Sequence, residues 1–250
     1  MFQPASLKGG SSTPVDERLR YKYFPFYLLV IFLSVIPIVL FEYFYITFFW
    51  KEPFYIIFFI LIAFNIVITL YLLQFSALLI SSLLIIIVKL IHNPNIGVFK
   101  RNLNNKEYKY WNLRNMIKKW PLFIVATNPF PWLKNRVALR FFGTKIGRNC
   151  LCDNSWISSE FVEIGKNVII GMGSTILSFG IEQEKLILKK IRIADNVIIG
   201  AKCVILPGTK IHEGAKLNSH SYTLYDQELK KYQIYSGHPA ELKKIGNEGQ

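Results

Sequence analysis

Three patterns of apolar and polar positions follow one another along the chain. From Phe24 to Trp50 the residues are apolar apart from occasional small polar side chains, with Glu42 the one charge; from Pro53 to Val88 there is no charge. Each run exceeds the roughly 20 residues that cross the hydrocarbon layer of a bilayer. Lys51-Glu52-Pro53 between them reads as a turn. Two long helices are predicted, over 24–50 and 53–91. From 93 to 143 apolar, aromatic and basic positions mix at helical spacing. Asn104 ahead of Glu107 reads as a helix N-cap pair and Pro121 as the stop of that helix. A second helix is predicted over Trp132–Phe142, ending at Gly143. It carries Leu133, Val137 and Phe141 on one side and Arg136 and Arg140 on another.

From 144 onward the period changes to six. Ile146, Ile164, Ile170 and Ile176 form one series, with Cys152 and Ser158 at its two weak positions. Shifted by one, Ile193, Ile199, Ile205, Ile211 and Leu217 form a second. Four residues after most anchors stands a small or slender side chain, Trp156 being the bulky exception. Such a period fits neither a lone helix nor a lone sheet. It is the signature of a parallel β-helix, in which each hexad supplies a short strand and a corner. Three hexads per turn give four triangular turns, 146–163, 164–181, 193–210 and 211–228. The Gly that often follows an anchor (Gly147, Gly165, Gly171, Gly200) is expected to turn the corner with φ > 0. The phase slip across 181–192 reads as an excursion from the coil, and such excursions are where function concentrates.

Composition places the front of the chain in a membrane. Hydrophobic residues make up 52%, mean hydropathy is +0.29, and the apolar matter is concentrated in the two runs. The first run lacks the short core and cleavage site of a signal peptide, so it reads as an anchor. Formal net charge is +14, and between 100 and 148 Glu107 is the one acid among many Lys and Arg. The positive-inside rule puts this segment in the cytoplasm. The tail over 1–23 has its own basic excess (Lys8, Arg18, Arg20 and Lys22 against Asp16 and Glu17), which agrees with two spans and both ends inside. Arg114 and Lys118 share a helical face. With Tyr108, Tyr110, Trp111, Trp120 and Phe123 interleaved, the segment suits an anionic lipid surface and makes nucleic acid an unneeded partner.

Several stretches carry a resemblance: RFFGTKIG over 140–147, IGKNVIIGMGSTI over 164–176, VILPGTKIHEGAKL over 204–217, and Gly237-His238-Pro239-Ala240. They resemble the bacterial hexapeptide-repeat acyltransferases. The order of membrane helices, Trp-rich basic helix and hexads is most similar to the membrane-attached C-terminal region of poly-lysine-synthetase-type proteins. The resemblance implies an N-terminal transmembrane α-helical hairpin (24–92), amphipathic helices (93–143), a C-terminal left-handed parallel β-helix (144–228) and a cap (229–250). It implies acyl-coenzyme A or a carrier thioester as co-substrate, and a homotrimer with sites between subunits. It also implies a general-base His near the excursion. Here the chain departs from the pattern: no His lies between Gly165 and Ile211, and Ser178 stands where a His is expected.

Acyl transfer from a thioester needs a base for the acceptor, donors for the carbonyl oxygen and a groove for the donor's arm. The candidate catalytic residues are His220, His238, Ser178 and Glu182. His92 reads as a residue at a helix end, and His212 as a solvent corner. Gly200, Ala201, Gly208 and Thr209 are small enough for a pantetheine arm to approach. Lys202 and Lys210 are candidates to meet its phosphates. Cys150, Cys152 and Cys203 read as small core residues, and Cys150-x-Cys152 is not zinc-site spacing. Four scattered His residues do not make a three-His zinc enzyme, so no metal is expected. These features describe a membrane-anchored acyltransferase with its β-helix in the cytoplasm. It would act on an amine or hydroxyl at the membrane face. The competing reading is a non-catalytic scaffold.

Overall fold

The computed structural model describes residues 21–243, apart from Leu103, Pro129, Pro131, Trp132, Asp153 and Gln183. The N-terminal tail up to residue 20 and the predicted helix start at Trp132 lie outside the described residues. The chain forms two compact units: a helical one over 21–93 and 110–128, and a repeat unit over 94–109 and 130–243.

The helical unit holds α1 (Phe24–Phe49) and the unbroken α2 (Tyr55–Ile91). Their apolar side chains face outward, as at Phe32, Phe44 and Phe64, whereas Ser34, Asn65, Gln74, Ser76 and Ser81 are buried. Polar groups hold the pair together. Ser76 Oγ donates to the Ser34 carbonyl at 2.8 Å and Tyr45 Oη to that of Phe58 at 2.7 Å. A third helix, α3 (Lys106–Ala126), runs through Pro121. Its cap is Asn105, whose Oδ1 accepts the Tyr108 amide at 3.2 Å; Asn104 is not the cap. Pro121 fails to stop the helix, since tertiary packing overrides a single lost hydrogen bond. Arg114 and Lys118 are buried within this helix, so the shared basic face does not lie in solvent or on a lipid surface.

The repeat unit is a coil of short parallel strands on three sides. One side stacks β2 (Lys145–Ile146), β4 (Val162–Ile164), β9 (Ile191–Ile193), β12 (Lys210–Ile211) and β14 (Glu228–Leu229). A second stacks β5 (Ile169–Ile170), β10 (Ile198–Ile199), β13 (Lys216–Leu217) and β15 (Ile234–Ser236), with β16 (Glu241–Leu242) closing it antiparallel. The third stacks β3 (Trp156–Ile157), β6 (Thr175–Ile176) and β11 (Val204–Ile205), and Tyr222 bridges to Val204. The anchors are buried in register, Ile164 on Ile193 and Ile170 on Ile199. Losing one such side chain costs about 2–5 kcal/mol in a packed core. The parallel ladder continues past 228, through Leu229 to Tyr235.

Two details of the repeat differ from expectation. Positive φ recurs three residues after the anchors, at Asn149, Asn167, Gly173, Asn196, Lys202, Gly208, Gly214, His220, Asp226 and Tyr232. The glycines directly after the anchors are there for close stacking instead. A Cβ on Gly171 would lie 2.5 Å from the Ala201 nitrogen, and one on Gly165 2.8 Å from the Asp195 nitrogen. Ile157, not Ser158, takes the anchor position opposite Ile176. A branched aliphatic fills the core, and Ser158 Oγ is left to accept the Ser178 amide at 3.1 Å.

The excursion is a hairpin. β7 (Phe179–Glu182) and β8 (Lys185–Leu188) pair antiparallel, and β1 (Gly97–Lys100) adds to β8, Phe99 opposite Leu186. The stretch 93–143 therefore contains a strand as well as helices.

Candidate active site

Ser178 sits at the root of the hairpin and is buried. Its carbonyl accepts the Lys189 amide at 2.9 Å, which ties the two ends of the excursion together. Phe179 packs edge-on against Trp156, ring centroids 6.2 Å apart. Gly180 follows, and it leaves room for Tyr225: a Cβ there would lie 2.5 Å from the Tyr225 hydroxyl. That hydroxyl hydrogen-bonds the Glu182 carboxylate. Burial and the neighbouring carboxylate push the phenol well above its ordinary range. Glu182 Oε1 is itself buried without a hydrogen-bond partner among the described residues. Beside them Lys189 pairs with Asp226. The hairpin thus has a proton acceptor next to its turn, a phenol that holds it, and an ion pair at its root.

Of the predicted catalytic residues, Ser178 and Glu182 share this hairpin and the two histidines do not join it. His220 is exposed at a corner with φ 59°, a conformation in which His is enriched. His238 is exposed and stacks on Tyr222, centroids 5.6 Å apart. Tyr222 lies two strand layers from Thr175 through Val204, so about 10 Å separates the His238 platform from the hairpin's layer at strand spacing. His212 pairs with Glu228. Tyr225 escaped the sequence reading; the available signal was its place one residue before an Asp corner, in a coil layer following the excursion.

The predicted donor groove is largely absorbed by the coil. The amides of Gly200, Ala201 and Lys202 donate to the Leu217 carbonyl at 2.7 Å, to Ser219 Oγ at 3.1 Å and to the Met172 carbonyl at 3.0 Å. Gly208 makes room for Asp226, whose Oδ1 an added Cβ would overlap. Thr209 is buried, its hydroxyl donating to the Leu206 carbonyl at 2.7 Å. Lys202 and Lys210 are exposed, one at a corner and the other on the β12 side. The structure does not place them side by side. The β2–β4–β9 side bears Glu163, bonded to Lys190 at 2.7 Å and Lys145 at 2.9 Å; both cations hold its carboxyl below the usual range. The three cysteines are buried thiols. No cluster of three metal-ligating side chains occurs among the described residues.

A scan of known protein families matches none to this chain. A Bacillus subtilis (strain 168) protein named "Putative acetyltransferase YvoF" is 29% identical over 123 residues, 48% of this chain and 70% of that protein. Solved structures with similarity include the hexapeptide-repeat containing acetyltransferase VCA0836 of Vibrio cholerae, at 16% identity and TM-score 0.42, covering 51% of this chain and 87% of that one. A galactoside acetyltransferase in complex with coenzyme A is 18% identical at TM-score 0.43, covering 60% and 88%. Its hexad anchors and three-sided parallel coil make the C-terminal part of this chain a hexapeptide-repeat unit, similar in sequence to a protein named as an acetyltransferase.

Proposed function

We propose that the chain is a membrane-anchored acyltransferase that moves an acetyl, related acyl or aminoacyl group from coenzyme A or a carrier thioester to an amine or hydroxyl. The observation that carries this reading is the Glu182–Tyr225 pair on the β7–β8 hairpin that interrupts the coil, with Glu182 opposite Lys185 next to the turn. The name of the Bacillus subtilis relative points to the same chemistry.

Glu182 Oε1 takes the proton of the acceptor, whose nitrogen or oxygen bonds to the thioester carbonyl carbon. The tetrahedral intermediate collapses, the C–S bond breaks, and the departing thiolate takes that proton from the Glu182 carboxylic acid to leave as the free thiol, restoring the carboxylate. Tyr225 holds the carboxylate in place, and its upward-shifted phenol stays a donor well into the alkaline range. Since Oε1 is enclosed, the acceptor reaches it through a local opening around the Glu182–Tyr225 pair, a motion of the kind that gates many active sites. Lys202 and Lys210 remain candidates for the donor's phosphates, and being apart, each is testable alone by its effect on coenzyme A affinity.

The membrane reading rests on α1 and α2, whose apolar faces point outward and whose polar side chains are buried between helices. That is the inverse of a water-soluble helix pair and the arrangement lipid demands. The basic run over 100–148 supports a cytoplasmic position for the coil. A homotrimer would use the exposed ladder of Leu151, Ile169 and Ile198.

The full chain in nanodiscs, offered a panel of acyl-coenzyme A donors with amine and hydroxyl acceptors, is expected to release thiol in an acceptor-dependent way. Absence of both turnover and coenzyme A binding would overturn the proposal and favour the scaffold reading, which the lack of a His in the excursion otherwise supports.

A further inference from the structure

The hairpin sheet carries a row of charge that the transfer step leaves unused. Pairing sets Glu182 opposite Lys185, and Lys185 opposite Lys100. Residues directly opposite on neighbouring antiparallel strands present their side chains to one face, so the three form a single row across β7, β8 and β1. At ordinary strand spacing Lys185 lies about 5 Å and Lys100 about 10 Å from Glu182, measured across the sheet. Gly180, two residues before Glu182 and on the same face, is where Tyr225 approaches. The two cations therefore extend the face that holds the Glu182–Tyr225 pair.

Both lysines are exposed. Neither ammonium lies within ion-pair distance of a carboxylate among the described residues. Lys185 leaves even the carboxylate opposite it, because Glu182 is bonded to Tyr225 instead. On the coil the comparable cations are closed by acids: Lys145, Lys190 and Arg192 share Glu163, and Lys189 takes Asp226. Like charges directly opposite one another destabilise a strand pair. Because β1 is the edge of this sheet, no further strand supplies a counter-charge. Glu184 at the turn has its own cation opposite, since the Arg101 amide donates to its carbonyl at 2.6 Å.

We infer that Lys185 and Lys100 bind a phosphate on the acceptor, which makes the substrate class a phosphorylated amine or alcohol. The inference rests on Glu182 as the base of the transfer. Lysine meets phosphate as a point charge, and two ammonium groups match a dianionic phosphomonoester. A carboxylate, or the phosphodiester of a phospholipid headgroup, brings one charge and leaves one lysine opposed. The acceptor's nitrogen or oxygen then faces Glu182 with the phosphate about 5–10 Å away along the row. The phosphate makes and breaks no bond. The bond formed is from that nitrogen or oxygen to the acyl carbon, and the bond broken is C–S.

The test uses the full chain in phosphatidylcholine nanodiscs. The acceptors are ω-aminoalkyl phosphates of increasing length, the matching aminoalkanols, and phosphatidylethanolamine added to the bilayer. In thiol release, kcat/KM for the best aminoalkyl phosphate is expected to exceed that for its alcohol at least about tenfold. Lys100→Gln together with Lys185→Gln should erase that advantage, with coenzyme A affinity unchanged and the melting temperature not lowered. Lysine footprinting needs no turnover: the aminoalkyl phosphate should protect Lys100 and Lys185 from an amine-reactive reagent, and the alcohol should not. Protection without thiol release from any acceptor would contradict Glu182 as base and uphold the phosphate site. Thiol release with equal kcat/KM for phosphate and alcohol, and no protection, would overturn the inference and leave the transfer standing. Loss of coenzyme A affinity in the double variant would overturn it by assigning the row to the donor. Turnover of phosphatidylethanolamine faster than that of every aminoalkyl phosphate would overturn the choice of a monoester.

Discussion

At the residue scale, the positions that shape the coil are those three after most anchors. They take positive φ whether they are Asn, Asp, Gly, Lys, His or Tyr, so composition does not announce them. The anchors themselves were legible because an aliphatic every six residues matches the repeat of a β-helix and neither the helical nor the strand period. The glycines beside them were legible as special but for a different reason, since what they allow is stacking of one turn on the next. The Glu182–Tyr225 pair was half visible: the carboxylate stood out in the excursion, whereas its partner comes from another layer 43 residues along the sequence by their numbers. Gly180→Ala should push the Tyr225 hydroxyl away from Glu182 and lower kcat by about tenfold with coenzyme A affinity unchanged; stopped assays and equilibrium binding read the two separately. Tyr225 also predicts a pH effect. Its folded pKa lies above the unfolded value of 10.0, so above pH 10 the unfolded chain loses this proton first and stability falls. Tyr225→Phe should flatten that alkaline decline in melting experiments between pH 9 and 11.

At the scale of elements, the two long helices were readable because uninterrupted apolar runs of this length admit little else. The strand β1 was not, since four residues in a basic, aromatic stretch carry no period of their own, and its partner β8 is supplied by the excursion. Likewise Pro121 signalled a stop that helix packing overrode. The three-stranded sheet ties the hairpin to the segment preceding α3, so its stability should depend on residues remote in sequence. Val98→Pro removes an amide and distorts the pairing of β1 with β8. Hydrogen exchange at Lys185–Leu188 should accelerate at least about tenfold, while the anchors Ile193–Ile211 keep their protection. Unchanged exchange at β8 would show that the hairpin stands without β1.

At the scale of the whole molecule, the chain joins two kinds of core. One unit buries polar side chains between helices and turns phenylalanines outward; the other buries isoleucines in a parallel coil and shows charge on its β2–β4–β9 side. On the proposed reading each suits a different solvent, lipid for the first and water for the second. The proposed chemistry belongs to the second, at the point where the repeat is broken by a hairpin. The central claim is that Glu182 serves as the base of an acyl transfer there. The most direct measurement is kcat for thiol release by the full chain carrying Glu182→Gln, with coenzyme A affinity and melting temperature determined on the same preparation. The account predicts a loss of about 10²–10⁴-fold in kcat at unchanged affinity and stability. A kcat within twofold of the unaltered chain would contradict it.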